Sequence, residues 1–310
     1  MRVCVTGGCG YVGSVLVPKL LDAGHTVRVV DIMWFGNNLK PHPNLDVVEA
    51  DIRHTFPIIA TDAVIHLAAV ANDPTGDLDP KLTWEINALA TMQLADRCVR
   101  EGVKQFIYAS SGSVYGVSNE PEVTEDLPLV PLSEYNKTKM VAERVLLSYA
   151  DKMAVQILRP ATVCGVSPRM RLDVVVNAIT MMALTKGAIT IQGGAQYRPN
   201  IHIMDMTNLY LWMLDRPYLT GIYNAGFENM TVTEIADMVA KRLKVNVSAN
   251  PSTDPRSYRL NSDKLLKIGF RPRYTVRNAV NDIISKYQAG QLKDEEQWHN
   301  LPSMKRLKAA

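Results

Sequence analysis

The stretch VTGGCGYVGS (residues 5–14) constrains this chain more than any other, because it spaces Gly7, Gly10 and Gly13 three residues apart between two apolar patterns. The run before it, RVCVTG (2–7), reads as a strand, and the pattern from Tyr11 to Ala23 reads as a helix. A strand that turns into a helix through three glycines leaves backbone amides at the helix N-terminus, where a diphosphate is stabilised. Gly7 admits a turn too tight for a side chain, Gly10 lets a ligand approach the backbone, and Gly13 lets helix and strand pack closely.

Eighteen residues beyond Gly13, the next strand-like run, TVRVVD (26–31), ends in Asp31. A carboxylate there accepts hydrogen bonds from a ribose and repels a 2′-phosphate, and no arginine follows it immediately. The two features together point to NAD(H) rather than its phosphorylated form. In ADIR (50–53), Asp51 and Ile52 are placed to grip an adenine, although Asp51 also reads as an ordinary turn residue.

Further apolar runs follow at LDVVEAD (45–51), AVIHLA (63–68) and QFIYAS (105–110), with a helical pattern over 83–101. Short apolar strands separated by helices imply β-α-β units, hence a doubly wound α/β domain with a parallel sheet buried on both faces. The regularity weakens after AVQILRP (154–160). We therefore expect an NAD-binding domain over 1–165, with a returning segment near 200–226 that includes GIYNAG (221–226), and a second, smaller lobe over 166–310. The charged tail 293–310 reads as a solvated or surface-packed end.

At 310 residues and 47% hydrophobic, the chain can bury a large core, and its net charge of +3 is scattered. Neither a nucleic-acid nor a membrane partner is expected. Cysteines at 4, 9, 98 and 164 have no metal-binding or disulfide spacing, so no metal is expected. Residues 1–10 enter a strand directly, which argues against a signal peptide, and a reduced cytoplasmic protein is expected.

The segment SEYNKTKMVAERVL (133–146) reads as a helix that stacks Tyr135 and Lys139 on one face. An ammonium beside a phenol favours phenolate and makes the tyrosine a proton shuttle. Of twelve tyrosines, only Tyr135 has a lysine four residues on.

The glycine turn, Asp31, HLAA (66–69), Asn87, SSGSVYG (110–116) and YNKTK (135–139) together resemble the extended short-chain dehydrogenase/reductase family, in its NAD-dependent nucleotide-sugar epimerase/dehydratase branch. The resemblance spans essentially the whole chain. It implies a Rossmann-type sheet with a smaller, interleaved C-terminal substrate-binding lobe. It makes Ser111, Tyr135 and Lys139 the catalytic residues, acting by oxidation at sugar carbon 4, with Tyr135 the general base. Tyr11, Val12, Leu67, Ala68, Ala69 and Asn87 join the glycines, Asp31, Asp51, Ile52, Tyr135 and Lys139 at the cofactor.

On the substrate side the resemblance assigns Asn177, Arg198 and Arg256 to a diphosphate, and Ser111, Ser113 and Tyr135 to the sugar. By position, Asn72 in AVANDP (69–74) and Arg169 line the same pocket. His66 and His202 read as strand-end histidines with satisfied hydrogen bonds rather than catalysts. Family members that eliminate water follow the catalytic residue with an Asp-Glu pair, whereas this chain has Gly112 and Ser113 there. That substitution favours chemistry that stops at the ketone or returns the hydride to it. The expected enzyme is thus a nucleotide-sugar epimerase, with a 4-dehydrogenase or 4-keto-reductase using exchangeable NAD(H) as the alternative, and a non-catalytic NAD sensor as a third reading.

Two segments depart from the family pattern: TVCGVSP (162–168), which lacks the usual tyrosine, and the aromatic loop IMWFGNN (32–38). The resemblance also implies a homodimer built on the helices after Trp84 and around Tyr135, through Ile86, Leu89, Ala90, Leu94, Met140 and Val141, and the same residues would equally suit burial against the sheet.

Overall fold

The alternating apolar runs form twelve strands in the computed structural model, which describes residues 1–58, 60–118, 120–252 and 257–309. They are β1 (Arg2–Thr6), β2 (Thr26–Asp31), β3 (Leu45–Glu49), β4 (Ala63–His66), β5 (Gln105–Ala109) and β6 (Ala154–Pro160). Then come β7 (Thr162–Cys164), β8 (Ala188–Gln192), β9 (Tyr197–His202), β10 (Gly221–Ala225), β11 (Glu228–Thr231) and β12 (Asn246–Asn250).

Seven strands make one sheet in the order β10-β6-β5-β4-β1-β2-β3, and every neighbouring pair is parallel. The period-two alternation is visible in β1, where Val3 and Val5 enter one core and Cys4 the other. Leu16 and Leu20 of helix Gly13–Asp22, with Leu209 and Met213 of helix Ile203–Leu214, cover the first face; Leu94, Cys98 and Leu146 cover the second. Strand order reverses between β1 and β4, and the crevice beyond their carboxyl ends is where open α/β sheets bind ligands.

The second lobe has its own apolar cluster, including Val176, Ile179, Ile235, Val239, Val280 and Ile284. Strand β10 returns to the main sheet, pairing Tyr223 with Leu158. No helix among the described residues is long and apolar enough to cross a membrane. None of those residues forms a cluster suited to a metal ion, and all four cysteines are buried thiols.

Two local expectations need amendment. The helical pattern over 83–101 is interrupted by a π-helical turn, Glu85–Leu89, between Pro80–Trp84 and Ala90–Arg100. Such turns insert a residue into a helix and are frequent at functional sites, and this one carries Asn87. The tail is surface-packed, as one of its two readings has it, and it also reaches the cavity through Asn300 and Met304. Its helix Asn300–Ala309 lies on Asp73–Leu78, with Lys308 Nζ donating to Leu78 O at 3.2 Å.

Candidate active site

A cavity of about 420 Å³ opens at the carboxyl ends of the central strands. Its dinucleotide side is built largely from backbone. Gly7 has φ +73°, and a Cβ there would sit 2.6 Å from Ala68 N; a Cβ on Gly13 would sit 2.5 Å from Gly8 Cα. Gly10 is different, since a Cβ there would meet only Gly7 O, at 3.2 Å, and the space beyond belongs to the cavity. The turn therefore packs against the β4 loop and leaves the helix N-terminus open to a diphosphate.

Asp31 accepts from Cys9 N at 2.9 Å and Met33 N at 2.8 Å. Burial raises its pKa, and these two amides oppose the rise. Asp51 accepts three hydrogen bonds from Arg53, which also pairs with Glu85 at 2.8 Å, so Asp51 is both a turn residue and part of the cavity wall. Tyr11, Val12, Ile52, Leu67, Ala68 and Ala69 line the same side, joined by Trp34 and Phe35 from the aromatic loop. A glycine turn with an open helix N-terminus, a carboxylate at the end of β2 and apolar walls fits NAD.

On the reactive side, Ser111 caps the turn Gly112–Tyr115, and its hydroxyl lies 2.7 Å from that of Ser113. Ser113 in turn donates to Asn136 Oδ1. Ser133 caps helix Glu134–Leu147, which presents Tyr135 and Lys139 to the cavity. Lys139 is 2% exposed; its Nζ donates to Ala109 O at 2.7 Å and lies 5.9 Å from the Tyr135 ring centre.

The electrostatics differ from the sequence expectation. Burial pushes the Tyr135 phenol up to about 12, against a hydrogen bond with Ser111, while Asp73 raises it further and Arg171 lowers it. Burial lowers the pKa of Lys139 itself to about 7, with Glu143 opposing. Glu143 is committed to a buried pair with Arg159 at 2.7 Å and accepts from Ser110.

On the sugar side, Asn72 and Arg198 line the cavity as expected, as do Ser111, Ser113 and Tyr135. Asn72 Nδ2 donates to Asp173 at 3.0 Å. The sequence had not singled out Arg171, whose Nε and Nη2 donate to Asp173 at 2.9 and 3.0 Å. Asp73 lines the cavity beside Asn72, within the segment AVANDP, whereas Asn300 and Met304 were also missed as cavity residues. Arg171 had a faint signal in its arginine-rich loop, whereas Asn300 and Met304 had none.

Two assigned residues do not reach the wall. Asn177 is fully buried, donates to Tyr11 Oη at 3.0 Å and Arg171 O at 2.8 Å, and accepts from Gly165 N at 3.0 Å, so its amide braces a loop. Asn87 is likewise buried and exchanges hydrogen bonds with both backbone groups of Val70, at 2.9 and 3.0 Å. Both lie behind the cavity surface, each bonded to backbone that forms it. Arg256 lies outside the described residues.

His66 is satisfied by Thr6 and Thr91, at 2.6 and 2.8 Å, and burial lowers its pKa to about 3. His202 Nδ1 accepts from Met204 N at 3.1 Å, but its buried Nε2 has no hydrogen-bond partner among the described residues.

Comparison with known proteins agrees with this geometry. The chain is 26% identical over 320 residues to the UDP-glucose 4-epimerase of Lactobacillus helveticus, covering 92% of this chain and 95% of that protein. Among solved structures, the Thermus thermophilus UDP-glucose 4-epimerase complex with NAD superposes with a TM-score of 0.82 at 27% identity, covering 92% of this chain and 99% of the other. MoeE5 in complex with UDP-glucose and NAD gives 0.83 at 26% identity, with 94% and 100% covered. The model of the NAD dependent epimerase/dehydratase family matches residues 3–226, and with the glycine turn, Asp31 and the Ser111–Tyr135–Lys139 cluster already in place, the chain belongs to that family.

Proposed function

We propose that this enzyme interconverts nucleoside-diphosphate sugars by 4-epimerisation through a 4-keto intermediate. The observation that carries the reading is the make-up of the reacting end: Tyr135 is set among Ser111, Ser113 and Asn136, and the two positions after Ser111 hold no acid. Oxidising a hydroxyl and reducing the ketone again needs one proton shuttle and one group that holds the oxygen; eliminating water needs a further acid or base.

Bound NAD supplies the hydride acceptor and donor. Tyr135 takes the proton from the C4 hydroxyl as its phenolate and returns it as the phenol, and Ser111 holds the same oxygen. Burial favours the protonated phenol that the return step needs, and the Arg171 charge favours the phenolate that the forward step needs. Gly7, Gly10, Asp31 and Lys139 hold the cofactor. Arg198 and Arg171 place guanidinium groups on the cavity wall, and these would meet the substrate diphosphate. The UDP-glucose 4-epimerases among the relatives support a UDP-sugar.

The test is incubation with UDP-, GDP-, dTDP- and CDP-sugars, with product identity read by NMR and the nicotinamide by absorbance. A new stereoisomer with no accumulating NADH is expected. Stoichiometric NADH with a ketone product would replace the epimerase with a dehydrogenase. A product lighter by one water would assign acid chemistry to Asp73, whose charge reaches the phenol, and would overturn the reading.

We also propose a homodimer. Of the candidate interface residues, Ile86, Ala90 and Leu94 are buried in the core, but Leu89 is 47% exposed, alongside Trp84 at 36% and Met92 at 38%. Trp84 Nε1 donates to Glu134 at 2.7 Å, joining this surface to the helix that carries Tyr135. A monomeric mass in solution at micromolar concentration would remove the dimer.

A further inference from the structure

The loop after β7 is stitched onto the glycine turn by side chains. Tyr11 Oη donates to Gly165 O at 2.8 Å, Ser167 Oγ donates to Tyr11 O at 2.7 Å, and Arg169 N donates to Ser14 Oγ at 3.3 Å. This stitching carries Arg169 to the N-terminal end of helix Gly13–Asp22, on the cavity wall.

Its guanidinium stacks 3.8 Å from the Phe35 ring centre, and Nη2 donates to Asn300 Oδ1 at 2.6 Å. Nη1 donates to Met170 O at 3.2 Å. Arg169 is 2% exposed; among the described residues its Nε meets no acceptor, and no carboxylate lies in ion-pair contact with it. Burial lowers its pKa to about 10, with the Arg171 charge adding to the effect and the more distant Asp173 and Asp31 carboxylates and Tyr11 opposing it, so it stays cationic at neutral pH. A buried cation with an unsatisfied donor is unfavourable unless an anion completes it. Three segments distant in sequence thus meet at one incomplete charge: the aromatic loop, the β7 loop and the C-terminal helix.

We infer that Arg169 joins the glycine-turn amides in binding the diphosphate of the dinucleotide, and that Phe35 and Asn300 lock it there as a clasp that slows cofactor release. The substrate diphosphate is the other source of the same chemistry, but the anchoring to Tyr11 and Ser14 favours the cofactor. The inference rests on dinucleotide binding and not on the sugar chemistry, so it survives if the epimerase reading fails.

The experiment uses full-length protein as purified, with Arg169→Gln, Arg169→Lys and Asn300→Ala beside the parent. Nucleotide content is measured by chromatography after denaturation, and release by chase with isotopically labelled NAD. Arg169→Gln should release NAD at least about tenfold faster, the scale of one charge-assisted hydrogen bond. Arg169→Lys should fall between it and the parent, since it keeps the charge and loses the fork. Asn300→Ala should speed release by about threefold or more, as one orienting contact is lost. Should Arg169→Gln fail to fold, the other two variants carry the test. Unchanged content and release in folded variants would overturn the inference. So would unchanged release with a raised KM for nucleotide sugar, which would assign Arg169 to the substrate.

Discussion

The dinucleotide side and the sugar side of this cavity are built in different ways. The first is mostly backbone: a glycine turn with no side chain to intrude, amides at a helix N-terminus, and one carboxylate held by Cys9 and Met33 amides. The second is mostly side chains, with Asn72 and Arg171 and the backbone amide of Asn300 converging on the Asp173 carboxylate from three segments. A backbone site is fixed by local sequence, whereas a side-chain site exists only once the chain has folded. The two sides should therefore fail separately when mutated.

The largest separation is expected from Tyr135→Phe. Turnover should fall by about 10²- to 10⁴-fold, the range for a lost general acid–base group, with NAD content unchanged. Equal loss of NAD and turnover would mean that the two sides are not independent. The reverse case is Gly7→Ala, which forces a Cβ within 2.6 Å of Ala68 N at φ +73°. Stability to urea should drop by about 2–4 kcal/mol, since strain and clash act together. A drop below about 0.5 kcal/mol, typical of a neutral surface change, would show that the turn relaxes freely.

Lys139 sharpens the comparison, because it lies between the two sides and its folded pKa of about 7 is below its unfolded value near 10.5. Between those values the unfolded chain binds the extra proton, so this group makes stability rise with pH from about 7 upward. Lys139→Met removes the buried charge. Its melting-temperature gain over the parent should therefore be greatest below pH 7 and shrink toward pH 10, with turnover lost throughout. A gap independent of pH would show that Lys139 stays fully charged in the fold. The smallest effect is expected from Met304→Ala, which enlarges the cavity wall: a rise of about two- to tenfold in KM for nucleotide sugar, the scale of one lost apolar contact.

The same contrast explains how much was legible in the sequence. The strand-turn-helix, Asp31, and the pair Tyr135 and Lys139 are local patterns, and each lies where its spacing implies. That Asn177 lies behind the cavity wall was not legible, because helix Val175–Lys186 is apolar nearly all round and its pattern does not say which face meets the cavity. The π-turn at Glu85–Leu89 is invisible to a 3.6-residue period, and with it the inward aim of Asn87. The spacing of its lysine implies an acidic Tyr135, but the outcome turns on burial, which spacing does not encode. Asn300 and Met304 sit in a charged tail whose composition suggests solvent, and only the docking of that tail on Asp73–Leu78 brings them to the site.

The measurement that tests the central claim most directly is the fate of a deuterium placed on carbon 4 of the nucleotide sugar, followed by NMR with excess unlabelled NADH in solution. The account predicts that the deuterium stays on carbon 4 of the epimerised product, because the hydride is returned within one occupancy of a clasped cofactor. Loss of the label to the NADH pool, or product formed only with net consumption of NAD, would contradict it.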